Sequence, residues 1–366
     1  MKIKLLYITN GIKGAAGLER VLAVKASYLA DKLGYEVHIL TLNHNNDPIF
    51  YDFSPKIILH DIAVSGNPLL YIKKYSDGIK AAVNKINPDV ISVCDDGLKG
   101  FFLPILLGNK RPIIYERHIS KIIELGENPS FLKKKAKAAK FVLMNKLAKG
   151  FDRFIVLTQD NVKEWDLNNI QVISNPLSFY PAESAALTNK TVIAVGKHSF
   201  QKGFDILLDS WVLVHKKNPG WKLEVYGKAN EALGLKAKAK QLGIGGSVHF
   251  FDPVKEIEQK YMASSIFAFS SRFEGFGMVL IEAMACGVPC VSFDCPCGPS
   301  DIISNDEDGF LIPNGNAILF AAKLNELIEN QTLRIEMGTK AKTNVKRYLP
   351  ETIVPLWDSL FKTLVK

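Results

Sequence analysis

Residues 270–303 read SSRFEGFGMVLIEAMACGVPCVSFDCPCGPSDII and crowd several reactive side chains together. Glu274 and Glu282 stand with seven residues between them. An ionised carboxylate only accepts hydrogen bonds, which suits the vicinal hydroxyls of a ribose or a sugar. Gly275 and Gly277 permit close approach of the backbone. The amides of Phe276, Gly277, Met278 and Val279 open a helix whose free N–H groups can hold a phosphate or a hydroxyl. Simple placement against a helix dipole would also account for two glutamates. The apolar ILIEAMA run around Glu282, however, suits a surface charge poorly.

A second stretch, AVGKHSFQKGFDILL, ends a strand at Gly196 and then supplies Lys197 and Lys202. Two ammonium groups there can neutralise a diphosphate and stabilise a departing nucleoside diphosphate. Surface lysines of a basic protein are the plainer alternative. A third stretch, ITNGIKGAAGLERVL, places glycines 11, 14 and 17 between a strand and a helix. That suits a phosphate or a tight turn, but the spacing is not the dinucleotide G-x-G-x-x-G. His118 follows the apolar strand in RPIIYERH, where a functional and a capping role both fit.

The four clustered cysteines invite a zinc reading. Their spacing, C-x3-C-x4-C-x-C, lacks paired C-x2-C knuckles, so buried thiols acting as small hydrophobes fit better. Asp306, Glu307 and Asp308 precede Gly309 as turn residues. No essential metal or other cofactor is expected.

These residues need a scaffold, and the sequence supplies one. Short apolar strands alternate with helical periods: KIKLLYI, EVHILTL, KIILHDI, DVISVC, RPIIYE, RFIVLT and IQVIS, then TVIAVG, KLEVYG, SVHFF, SIFAFS, PCVSFD and GFLIP. Alternation of this kind predicts α/β structure with parallel sheets covered on both faces. Two series predict two doubly wound domains, joined near the polar SFYPAESAALTNK. Ligands of such sheets sit beyond the carboxyl ends of the strands. In the closing helical run, Trp357 and Phe361 lie four apart and predict a buried stripe.

Length and charge set outer bounds. The 366 residues suit two medium domains, and 47% hydrophobic content is ample for their cores. Met1-Lys2-Ile3-Lys4 runs into only a short apolar stretch, so no secretion leader is expected. Five cysteines then fit a reducing, cytoplasmic setting. The net charge of +9 permits anionic partners without choosing among them. Residues 131–150, FLKKKAKAAKFVLMNKLAKG, read either as a solvated basic face or as an amphipathic helix lying on an anionic membrane surface.

Taken together, the motifs resemble glycosyltransferase family 4, the retaining enzymes of the GT-B fold. The match rests on Glu274 and Glu282 within EGFGMVLIEAMACGVPCV and on Gly196-Lys197 with Lys202, where Lys197 replaces an arginine of the family pattern. It is supported by Gly17, Glu19 and Arg20 within AGLER, by His118, and by DCPCGPSDII with DGFLIPNGN. The last pair is similar to members that build surface polysaccharides and lipid-linked oligosaccharides. The resemblance covers essentially the whole chain. It implies two Rossmann-like domains facing a cleft: residues 1–178 on the acceptor side, 179–349 binding a nucleotide-sugar, and a helix over 350–366 crossing back to the first domain. It further implies that Glu282 holds the donor ribose, and that Lys197, Lys202 and the Gly17 amide cradle the diphosphate. Glu274 with the backbone of 276–278 would hold the donor sugar, and His118 would contact it near the reacting carbon. The implied donor is UDP-linked and the acceptor a glycan or lipid-linked glycan. A GT-B epimerase or phosphorylase is the alternative enzyme, although no pyridoxal-lysine motif is evident. A basic nucleic-acid-binding protein is the non-enzymatic alternative, but the basic run at Lys133 has aromatics only at its edges, so no nucleic-acid partner is expected.

Overall fold

The structure is a computed structural model describing residues 2–14, 17–45, 47–95, 97–108, 110–125 and 130–365, with the side chains of 124 and 125 outside the description. It divides into two compact units, Met1–Ser178 with Pro350–Lys366, and Phe179–Leu349.

The first unit is built on a seven-stranded sheet. Its strands are β1 (Lys4–Thr9), β2 (Glu36–Leu42), β3 (Ile58–Ile62), β4 (Val90–Cys94), β5 (Ile113–Glu116), β6 (Arg153–Val156) and β7 (Ile170–Val172). The order is β3-β2-β1-β4-β5-β6-β7, and every pairing is parallel. The order reverses direction between β1 and β4, which makes their carboxyl ends a natural ligand crevice. β4 and β5 are buried at every position, as expected of parallel strands covered on both faces.

The second unit repeats the plan with six parallel strands: β8 (Thr191–Val195), β9 (Lys222–Tyr226), β10 (Val248–Phe251), β11 (Ile266–Phe269), β12 (Cys290–Asp294) and β13 (Gly309–Pro313). Their order is β10-β9-β8-β11-β12-β13, so the reversal falls between β8 and β11. The core on this sheet packs Trp211, Phe204, Leu207 and Leu208 against Val192, Val225, Phe293 and Phe320. All thirteen strands read from the sequence are present, with ends trimmed by a few residues.

The helix Pro350–Leu364 belongs to the first unit. Trp357 and Phe361 are buried. Its Asp358 accepts a 2.8 Å hydrogen bond from the Tyr35 hydroxyl, and Phe361 meets the Tyr35 ring at 6.1 Å. Among the described residues, no helix is long and apolar enough to cross a membrane.

Candidate active site

The reversal in the second sheet brings two of the sequence motifs together. Lys202 lies in the short turn after β8, and Glu274 in the loop after β11. The Lys202 ammonium and the Glu274 carboxylate are 2.7 Å apart. Gln201 adds a longer contact, donating from Nε2 to Glu274 Oε2 at 3.4 Å. Gly196 explains how the lysine reaches so far. A Cβ there would sit 2.9–3.2 Å from Cγ, Cδ and Cε of Lys202, so glycine leaves the channel for the lysine stem. Lys197 is exposed.

The two loops are clasped by a residue that the sequence reading passed over. Arg272 donates to both carboxylate oxygens of Asp205, at 2.8 and 2.6 Å, and to the Phe200 carbonyl at 2.7 Å. Its guanidinium also lies 4.1 Å from the Phe200 ring centroid. The Arg272 amide donates to the Gln201 carbonyl at 2.7 Å, and the Ser270 hydroxyl donates to the Lys202 carbonyl at 2.9 Å. Burial alone would push the Asp205 carboxyl up; the bond and charge from Arg272 hold it below its usual range instead. A planar fork is the right tool here, because it grips one carboxylate with two parallel bonds. Nothing local in the sequence announces this pair, which joins the first turn of a helix to a distant strand end. Replacing Arg272 by lysine is therefore expected to loosen the Lys202 turn despite the retained charge. Turnover should fall about 10-fold or more with the fold intact, measured beside far- and near-ultraviolet circular dichroism.

Glu282 lies one turn inside the helix Met278–Ala285 and is buried. The Tyr261 hydroxyl donates to its Oε2 at 3.4 Å. Gly277 precedes that helix at φ +100°, a conformation L side chains rarely adopt. Phe276 is buried, while Met278 and Val279 are partly exposed. The loop Pro296–Gly298 braces the acid loop from the other side. The Glu274 amide donates to the Pro296 carbonyl at 3.0 Å, and a Cβ on Gly298 would overlap the carbonyl oxygen of Phe276.

The cysteines are buried free thiols. Burial, then Glu258 and Glu282, push Cys286 up to about 12, and burial likewise raises Cys290 and Cys295. Asp308 is buried in its turn, where its carboxylate accepts from the Ser304 amide at 2.8 Å and from Asn344 at 3.0 Å.

The remaining candidates belong to the first unit. Gly17 begins the helix Gly17–Asp31 and is exposed; residues 15 and 16 lie outside the described ones. His118 follows β5 with its side chain largely buried, Nε2 standing 3.2 Å from Glu116 Oε2. Cys94, Glu116 and His118 offer ligand-type atoms within 4.8 Å of one another, the one such group among the described residues. The buried Lys25 ammonium already pairs with Glu116 Oε2. A metal ion there would meet a like charge.

The geometry of the second unit can grip an anionic, hydroxyl-rich ligand: an exposed lysine, a paired lysine and two buried carboxylates stand on loops and a helix fixed to one another. Comparison with known proteins identifies the family. A glycosyl transferases group 1 family matches residues 180–344, and a glycosyl transferase 4-like family matches residues 18–160. The amylovoran biosynthesis glycosyltransferase AmsD of Erwinia amylovora is 31% identical, covering 98% of this chain and 99% of its own. An uncharacterized glycosyltransferase of Haemophilus influenzae is 30% identical, over 98% of this chain and 99% of that one. Among solved structures, sucrose-phosphate synthase from Thermosynechococcus elongatus has a TM-score of 0.84 at 18% identity, covering 99% of each chain. S. aureus TarM, in complex with fondaparinux, alpha-GlcNAc-glycerol and UDP, has 0.80 at 19%, covering 99% of this chain and 100% of its own. The chain belongs to the GT-B glycosyltransferases that join a glycosyl transferase 4-like half to a group 1 half, and it is a sugar-transferring enzyme.

Proposed function

We propose that the enzyme transfers a sugar, with retention, from a UDP-linked donor to a glycan or lipid-linked glycan acceptor in surface polysaccharide assembly. The observation that carries this reading is the Lys202–Glu274 pair at the reversal of the second sheet. A lysine there can meet a leaving diphosphate, and an ionised carboxylate beside it can accept from the sugar's hydroxyls. The donor assignment draws support from neighbours solved with UDP, among them Anabaena HepE with UDP-glucose. The acceptor class draws on relatives such as the lipopolysaccharide 1,6-galactosyltransferase of Escherichia coli and the poly(ribitol-phosphate) alpha-N-acetylglucosaminyltransferase of Staphylococcus aureus.

In this reading Lys197, Lys202 and the Gly17 amide hold the diphosphate, and Glu282 accepts from the ribose hydroxyls. Glu274 and the 276–278 backbone hold the donor sugar, while His118 contacts it near the reacting carbon. The leaving phosphate takes the acceptor's proton as the bond to the anomeric carbon breaks, on the same face. No protein nucleophile and no metal are required, since leaving-group electrostatics and positioning supply the acceleration. The test is UDP release from UDP-glucose, UDP-galactose and UDP-N-acetylglucosamine, each with a lipid-linked glycan acceptor, followed by the anomeric configuration of the product. An inverted product, or turnover of GDP- or ADP-sugars alone, would overturn it.

The same reading places the enzyme against an anionic membrane. The helix Phe131–Ala148 exposes Phe131, Leu132 and Val142 at 68, 77 and 70%. Lysines 133, 134, 135 and 146 are exposed beside them, and no acidic residue interrupts the helix. Apolar side chains among cations suit a phospholipid surface of negative charge. Vesicles containing phosphatidylglycerol should sediment the protein at low salt, and high salt or Leu132→Ser with Val142→Ser should release it. Equal binding to neutral vesicles, or none to either, would remove the membrane from the proposal.

A further inference from the structure

The carboxyl end of β5 carries a buried ionic network that the lysines and carboxylates of the second unit do not explain. Val21, Lys25 and Leu29 recur on the inner face of the helix Gly17–Asp31, and all three are buried. Lys25 and Glu116 are each about 1% exposed. The Lys25 ammonium pairs with Glu116 Oε2 and lies 3.8 Å from the Trp357 ring and 5.1 Å from the Tyr7 ring. The Ser92 hydroxyl donates to the other oxygen, Glu116 Oε1. His118 Nε2 stands 3.2 Å from Glu116 Oε2.

The chain just beyond His118 is held as firmly. The Ser120 hydroxyl and the Lys121 amide both donate to the Glu164 carboxylate, the latter at 3.1 Å. The Lys121 ammonium donates to the Glu164 carbonyl at 2.6 Å and lies 3.8 Å from the Trp165 ring. A buried ion pair is an expensive way to gain stability alone, since apolar side chains of the same volume serve as well or better. What it does provide is a fixed acceptor. A carboxylate facing a buried ammonium is ionised and can only accept, so the imidazole nitrogen turned towards it must carry the hydrogen.

We propose that Lys25 and Glu116 are positioning residues for His118, holding its ring with an Nε2–H directed at the Glu116 carboxylate. The inference rests on the reading of His118 as a sugar-contacting residue. Burial alone would push the Glu116 carboxyl up; the Lys25 ammonium, and after it His118, outweigh burial and hold it at about 2. Glu116 is then an obligate acceptor at any pH at which the enzyme works.

The test reads the tautomer directly. Two-bond 1H–15N spectra of the full chain labelled with 15N-histidine, with His118 assigned by the signal lost in His118→Asn, should give the Nε2–H pattern. The double variant Lys25→Met/Glu116→Gln removes both charges while keeping their volumes. It should lose the single-tautomer pattern and lower kcat on the order of 10- to 100-fold, the range for a partner that orients a functional imidazole. The donor KM should stay within about threefold. Lys25→Met/Glu116→Met carries the same test should that variant fail to fold, because it too leaves no buried charge unpaired and gives the imidazole no carboxylate to dictate which nitrogen donates. An Nδ1–H pattern in the wild type overturns the proposal, as does an unchanged tautomer or unchanged kcat in these variants. Full turnover by His118→Asn removes the sugar-contact reading instead. The two failures are distinguishable because the tautomer is read without substrate.

Discussion

Lys202→Met is expected to lower turnover by about 100-fold or more while leaving the chain folded. The methionine keeps most of the stem that threads past Gly196 but removes the charge opposite Glu274. Two consequences follow from different physics. The departing diphosphate loses a preorganised cation, a change that costs about 100- to 1000-fold where similar groups are removed. Glu274, itself buried, is left without its strongest partner, which should lower stability by about 1–3 kcal/mol. Adding Glu274→Gln separates them. The double variant should recover most of the lost stability, since no buried charge is then unpaired, yet turnover should stay low. Recovery of turnover along with stability would show that the pair is a structural bridge only.

Gly298→Ala should damage the same site through the backbone. Gly298 sits at φ +133°, and an added Cβ would overlap the carbonyl oxygen and carbon of Phe276. Neither partner is the movable end of a side chain, so the segments must separate. Separation breaks the Glu274 amide bond to Pro296 and frees the loop that carries Glu274. The combined strain should cost about 3 kcal/mol or more, seen as a melting temperature lowered by roughly 6–12 °C. Gly246→Ala is the matched control, because its added Cβ would meet nothing within 4 Å and its φ is ordinary. It should change stability by less than about 0.5 kcal/mol. Equal effects of the two substitutions would refute the close-approach explanation.

Much of the scaffold was legible because both kinds of signal were local. Each strand is a short apolar run bounded by turn residues, and parallel strands buried on both faces need no subtler pattern. The helix after the acid loop starts at Met278, where glycines 275 and 277 stop being needed. Burial of Glu282 was also readable from its apolar neighbours. What escaped the sequence depends on pairs far apart in the chain. Arg272 finds Asp205 and Phe200 across a sheet reversal, and no spacing rule links them. The Lys202–Glu274 contact likewise joins residues that the sequence suggested would each face the ligand. Lys25 was the exception, since a detectable signal was missed. A lysine between Val21 and Leu29 on a helix's apolar face, with a glutamate closing an apolar strand, marks a buried ion pair. The cysteine cluster shows the converse: a dense letter pattern that in the structure is a set of buried free thiols.

The decisive measurement is a crystal structure of the full chain with the donor's nucleoside diphosphate bound. The diphosphate should lie within hydrogen-bond distance of Lys197 and Lys202, with both pentose hydroxyls on Glu282 and the Lys202–Glu274 bridge lengthened to admit the ligand. A nucleotide held entirely by the first unit, or one whose pentose turns away from Glu282 while the bridge stays closed, would contradict the assignment of these residues to the donor.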